Sequence, residues 1–188
     1  MNDMSMKRGY FGVGVQGISK EGNIGSLLRT THAFGGSFFF TIAPGLDVGG
    51  FRVSDTSGAF DHMPYYEYAS VGELMLPGGC TLVGVELTDE SIALPSFRHP
   101  ARAAYVLGPE MGSLSPELTA LCDFVIKIPM KFCVNVGVAG AIVMYDRLIS
   151  NNRFPDRPVR TGGPDMEALA PVPPRRKTPF SRRKAREQ

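Results

Sequence analysis

The apolar positions of this chain fall into short blocks separated by glycine, proline and polar residues. Tyr10 to Val15 (YFGVGV) is β-rich and ends in loop residues, whereas from Asn23 to Phe34 the apolar side chains recur at Ile24, Leu27, Leu28 and Phe34. Residues three, four and seven apart share one face of an α-helix, so the second pattern predicts a helix. Gly35-Gly36 ends it, and Ser37 to Ile42 (SFFFTI) is the continuous apolar run of a strand buried on both faces. A second strand–loop–helix cycle follows. Later strands are expected at Cys80 to Val85, Ala103 to Leu107 and Phe124 to Ile128, with a helix from Pro116 to Cys122 opened by Ser115 as N-cap. A final helix runs from about Asn135 to Ser150. This alternation predicts an α/β fold, a mainly parallel sheet with helices on both faces. Ligands of such sheets collect beyond the carboxyl ends of the strands, which directs attention to the loops after Val15, Leu107 and Ile128.

Composition and charge narrow the class. The 188 residues are 43% apolar, which excludes disorder throughout and suits one domain of about 150 residues with an appendage. Residues 1–152 hold 10 basic and 14 acidic side chains, whereas residues 153–188 hold 10 and 4, so the formal net charge of +2 hides a core at −4 and a tail at +6. The tail is rich in proline and too polar to offset its ordering entropy, so it is expected to be disordered. Its basic triplets, Arg175, Arg176, Lys177 and Arg182, Arg183, Lys184, suit either a solvated tail or an arm that follows an RNA backbone by counterion release. Cys80, Cys122 and Cys133 form no disulfide framework or zinc pattern, and His32, His62 and His99 lack metal spacing, so no metal is expected and the histidines read as helix, loop or surface residues. Nothing resembles a signal peptide or a membrane span, so a soluble, cytoplasmic protein is expected.

Three loops are candidates for chemistry. Gly12-Val-Gly-Val-Gln-Gly17 spells the dinucleotide fingerprint, but Gly12 and Gly14 fall inside a strand rather than in the turn after it. They read instead as strand glycines where another backbone segment passes closely. Asn23 reads most simply as an N-cap and Arg29 as a surface arginine, yet a helix start with a nearby guanidinium also suits a phosphate or a hydroxyl that must lose its proton. Leu107-Gly-Pro-Glu-Met-Gly112 and Ile128-Pro-Met-Lys-Phe-Cys-Val-Asn135 leave two buried strands with exposed backbone donors, a slot fit for a flat heterocycle. Tyr65, Tyr66 and Tyr68 read as strand packing rather than an RNA-stacking platform.

Asn23 with Arg29, then Leu-Gly-Pro-Glu-Met-Gly at 107–112, then Ile-Pro-Met followed by Asn-Val and an Ala/Gly-rich helix at 128–141, resemble the three ordered motifs of the SpoU/TrmH RNA methyltransferases. The resemblance implies a SPOUT domain over residues 1–152 with a C-terminal trefoil knot, a homodimer, S-adenosylmethionine as cofactor, and methylation of a ribose 2′-hydroxyl in tRNA or rRNA. By position it implies catalytic roles for Asn23, Arg29, Glu110 and Asn135, with Arg29 also near the RNA. It places Leu107, Gly108, Pro109, Glu110, Gly112, Ile128, Pro129, Met130, Cys133, Asn135 and Val136 at the methyl donor. The third motif is shorter than usual, and Cys133 and Gly137 stand where serines are common. A non-catalytic RNA-binding protein that kept the fold is the alternative, and a nicotinamide oxidoreductase rests on the glycine triplet alone.

Overall fold

The computed structural model describes residues 9–47, 59–109, 111–151, 154, 157–158 and 160–163. Its strands are β1 (Tyr10–Gln16), β2 (Phe38–Ile42), β3 (Tyr65–Tyr68), β4 (Thr81–Val85), β5 (Ile92–Ala93), β6 (Arg102–Leu107) and β7 (Phe124–Lys127). The helices are α1 (Glu21–Ala33), α2 (Ala59–His62), α3 (Pro116–Leu121) and α4 (Val136–Asn151). The seven strands form one sheet in the order β3-β2-β1-β6-β4-β7-β5. All the pairings are parallel, as expected of strands joined through helical crossovers.

Side chains of β2 show how the sheet is covered twice. Phe39 enters the cluster containing Leu27 and Leu28 of α1 and Val143 and Met144 of α4, while Phe38, Phe40 and Ile42 enter a second cluster with Leu118 of α3. Alternate residues of a strand point to opposite faces, so two covered faces require a strand buried throughout, and the one polar side chain of β2, Thr41, pairs with the Tyr65 hydroxyl at 2.6 Å. Gly12 and Gly14 in β1 serve this packing. A Cβ at either would strike the ring of Phe38 or Phe40, so the close neighbour is a phenylalanine ring of β2 and not the passing backbone expected from sequence.

Several expectations are corrected in detail. Helix α1 opens after Lys20, whose side chain makes no capping bond, so Asn23 is a residue of the helix and not its N-cap. Ser115 does cap α3, its side chain accepting a bond from the Leu118 amide at 3.2 Å. The short strand β5 carries no pattern long enough to read. His99 is a loop residue, as one of the expected readings has it, and is buried at 5% exposure, as is Arg147 at 6%.

Arg147 knits the amino end of the sheet together. Its guanidinium donates to the carbonyls of Pro100 at 2.6 Å, Ala101 at 3.0 Å and Tyr10 at 3.4 Å, and to the Tyr105 hydroxyl at 3.0 Å. With that hydroxyl accepting from arginine, its own proton is directed to His99 Nδ1 at 2.6 Å, and His99 Nε2 then donates to Asp146 at 2.9 Å. Burial pushes the Tyr105 hydroxyl up to about 12 and holds the His99 imidazole below its ordinary value, the bond to Asp146 opposing the shift. Among the described residues no helix is long and apolar enough to cross a membrane.

Candidate functional site

Because the strands are parallel, the carboxyl ends of β4, β6 and β7 arrive at one edge of the sheet. The loops that leave them, with the starts of α1 and α4, enclose a cavity of about 480 Å³. This is a size suited to a small organic ligand. Leu107, Gly108, Pro109 and Gly112 line it from the β6 loop, Ile128, Met130, Cys133 and Asn135 from the β7 loop, and Val136 from α4. The sequence singles out all nine of these. Pro129 is not among the lining residues. Glu110 lies outside the described residues, as do the tail cations Arg175, Arg176, Lys177, Arg182, Arg183 and Lys184.

The motif reading assigns no site role to six further lining residues: Lys20, Val85, Glu86, Leu87 and, within the third motif itself, Val134 and Ala139. The signal for Val85 to Leu87 was present, since these residues end a strand of the same sheet and the carboxyl-end rule applies to them equally. Lys20 and Ala139 carry no such sign.

Two predicted residues meet through their amides. Asn135 Oδ1 accepts the Gly137 N–H at 2.8 Å and so caps α4, while its Nδ2 donates to Asn23 Oδ1 at 2.8 Å. The pair ties the start of α1 to the start of α4 across 112 positions of sequence. A Cβ on Gly137 would crowd this junction, 2.9 Å from Ser26 Oγ and 3.1 Å from Asn135 Oδ1. Gly112 has φ +122, a backbone conformation that a side chain strains, and turns the β6 loop back toward the cavity.

Arg29 is exposed and does not line the cavity. It lies six residues beyond Asn23, which on a helix is about 120° around the axis from it. The chain by itself therefore does not bring Arg29 to the site. Tyr65 stacks on Phe39, and Tyr68 meets Phe40 edge-on and donates to the Met75 carbonyl at 2.7 Å. Tyr66 is 50% exposed and meets Phe38 edge-on. No group of three potential metal ligands occurs among the described residues.

The model of the SpoU rRNA Methylase family matches residues 11–145. An uncharacterized tRNA/rRNA methyltransferase of Archaeoglobus fulgidus is 30% identical over 146 residues, covering 73% of this chain and 63% of the relative. A tRNA (guanosine(18)-2′-O)-methyltransferase of Mus musculus is 29% identical over 147 residues, covering 69% of this chain and 9% of the relative. The chain thus spans less than two thirds of either curated relative. The crystal structure of the SpoU methyltransferase AviRb from Streptomyces viridochromogenes with AdoMet has the same fold, at a TM-score of 0.67 and 23% identity, over 76% of this chain and 60% of that one.

Proposed function

This chain belongs to the SpoU rRNA methylase family, and from that premise we propose that it is an S-adenosylmethionine-dependent RNA methyltransferase acting on a ribose 2′-hydroxyl of tRNA or rRNA. The observation that carries the reading is one cavity shared by the loops after β6 and β7, whose lining includes Asn23 and nine residues that the two later motifs single out. Its side chains fit the methyl donor. Leu107, Ile128, Met130 and Ala139 give a flat heterocycle apolar walls, while Asn23 and Asn135 supply polar groups that orient such a ligand. When bound, S-adenosylmethionine supplies an electrophilic methyl group on a sulfonium.

The protein's own task is then positioning, since alignment of a hydroxyl oxygen with that methyl accounts for most of the acceleration. A ribose hydroxyl is a weak acid, and a guanidinium such as Arg29 stabilises the alkoxide that develops as its proton leaves. Because Arg29 does not line the cavity of its own chain, we assign it to the cavity of a second copy. Support comes from the groove between α1 and α4, lined by Ser26, Thr30, Phe34, Ala141, Ile142 and Tyr145, in which Tyr145 is 52% exposed. The trefoil knot is proposed for the path from β6 to α4. The chain crosses β4 on the face that carries Leu118 to reach β7 and returns on the other face to α4.

Arg29→Ala tests the mechanism. Methyl transfer to RNA is expected to fall by about a hundredfold or more, with S-adenosylhomocysteine affinity in calorimetry unchanged; equal loss of both removes the role. A stable monomer in light scattering at micromolar concentration removes the assignment to a second copy. The shortened third motif favours the second reading, an RNA-binding protein without catalysis, which predicts RNA binding and no uptake of S-adenosylmethionine. We also propose that residues 153–188 contact RNA. Truncation after Asn152 is expected to weaken RNA binding and flatten its salt dependence without altering cofactor affinity.

A further inference from the structure

The loop after β6 forms one wall of the cavity, and its far end is fastened from two sides. Gln16, the last residue of β1, accepts the Ser115 N–H at 2.8 Å and donates from Nε2 to the Ser115 hydroxyl at 2.8 Å. Glu86, immediately after β4, accepts the Leu114 N–H at 2.7 Å through one oxygen and the Leu87 N–H at 3.0 Å through the other. In the sheet, β1 and β4 are the two neighbours of β6. Both flanking strands therefore reach over the end of the central one to the same dipeptide. Ser115 caps α3 as well, so this anchor also fixes where the loop stops and the helix begins.

The wall has little slack. A Cβ on Gly108 would lie 3.2 Å from the Leu114 nitrogen, 3.4 Å from the Ser113 carbonyl carbon and 3.6 Å from Glu86 Oε2. The loop thus closes on itself against the Glu86 carboxylate, which also lines the cavity. We propose that Gln16 and Glu86 are positioning residues that clamp Leu114 and Ser115 and thereby set the shape of the methyl-donor cavity; this rests on the functional reading above. The carboxylate suits its place chemically. It accepts two amide protons at once, whereas the amide of a glutamine turns a donor toward one of them.

The test uses the full chain carrying Gln16→Ala, Glu86→Ala, Glu86→Gln or the two alanine changes together. Two readouts are needed: calorimetry with S-adenosylhomocysteine, and amide exchange without ligand. Each alanine variant is expected to bind about threefold to tenfold more weakly, with Glu86→Gln between Glu86→Ala and wild type. The double variant loses less than the product of the single losses, since both clamps hold one dipeptide. Exchange is expected to quicken at Gly112, Leu114 and Ser115 and to stay unchanged in β1 and β6. Unchanged affinity and exchange in both alanine variants overturns the inference. So does faster exchange throughout the sheet with Glu86→Gln no better than Glu86→Ala, because that is general destabilisation. If wild type takes up no S-adenosylhomocysteine while the variants still free these amides, the clamp stands and the methyl-donor reading falls.

Discussion

At the amino end of β1 and β6 the Arg147 guanidinium is buried among carbonyls of Tyr10, Pro100 and Ala101, and its neighbours His99, Tyr105 and Asp146 complete a chain of hydrogen bonds. At the carboxyl end of the same strands the polar groups sit in loops around a cavity, and the Asn23–Asn135 amide pair lies in the open. One end seals its polar groups in the interior; at the other, Asn23, Glu86 and Asn135 bond within the protein and also border a space. Among the described residues no buried side-chain polar atom lacks a partner, so the contrast lies in where those partners are found. The molecule separates stability from ligand capture along the strand direction, as parallel sheets allow when all strands end at one edge.

The contrast breaks most visibly at Arg147. Arg147→Ala strands buried carbonyls and the Tyr105 hydroxyl, and is expected to cost about 3–5 kcal/mol in urea unfolding, the range for removing one partner of a buried charged network. Arg147→Lys keeps the charge but not the planar fork, and is expected to cost roughly half as much. Whatever remains folded should bind S-adenosylhomocysteine within about twofold of wild type, since 1.4 kcal/mol would be a tenfold change. A loss below 1 kcal/mol, or a matching collapse of affinity in the folded lysine variant, would show that the two ends are not separate.

At the open end the expected effects are smaller. Asn135→Ala removes both the cap of α4 and the bond to Asn23, at a cost of about 1–2 kcal/mol. Asn23→Ala removes the bond to Asn135 and leaves the cap of α4 in place, and should cost about 0.5–1 kcal/mol. Thermal unfolding of the two compares loss of the cap with loss of the Asn23 side chain, and both should weaken cofactor binding by more than their stability loss explains. If Asn23→Ala proves as costly as Asn135→Ala, the link between helices, rather than the cap, holds this end together.

How far the sequence discloses each end follows from the same division. The cavity loops are legible because tight backbone turns need glycine and proline in contiguous runs, as in Leu107 to Gly112 and Ile128 to Met130. The covered strands are legible from apolar runs such as Phe38 to Ile42. Arg147 is not, because a cation in an apolar helix reads as solvent-facing until its acceptors are seen, and these lie 46 and 137 positions away at Ala101 and Tyr10. The pairing of Asn23 with Asn135 and the reach of Gln16 to Ser115 are likewise products of topology. Arg29 is a reverse case. Its motif is plain, yet it is not among the residues that line the cavity of its own chain.

The finest discrimination comes from pH, through His99. Its imidazole is neutral in the network, accepting from Tyr105 and donating to Asp146, and burial holds its folded-state value below the ordinary 6.5. Between that depressed value and 6.5 the unfolded chain binds a proton that the folded chain refuses, so stability falls as pH drops through this window and is fully present above it. The slope is at most about 1.4 kcal/mol per pH unit, one proton's worth. Protonation would also put a second donor on the Tyr105 oxygen, which already accepts from Arg147, leaving the hydroxyl proton without its acceptor. Urea unfolding of wild type and His99→Gln between pH 7.5 and 5 measures the effect, the glutamine variant losing this component of the slope. Cofactor affinity of the folded protein should not follow it, because the imidazole is at the opposite end of the strands from the cavity. Equal slopes in wild type and variant would remove His99 as the titrating group, and an affinity that tracked the wild-type slope would join the two ends that the fold keeps apart.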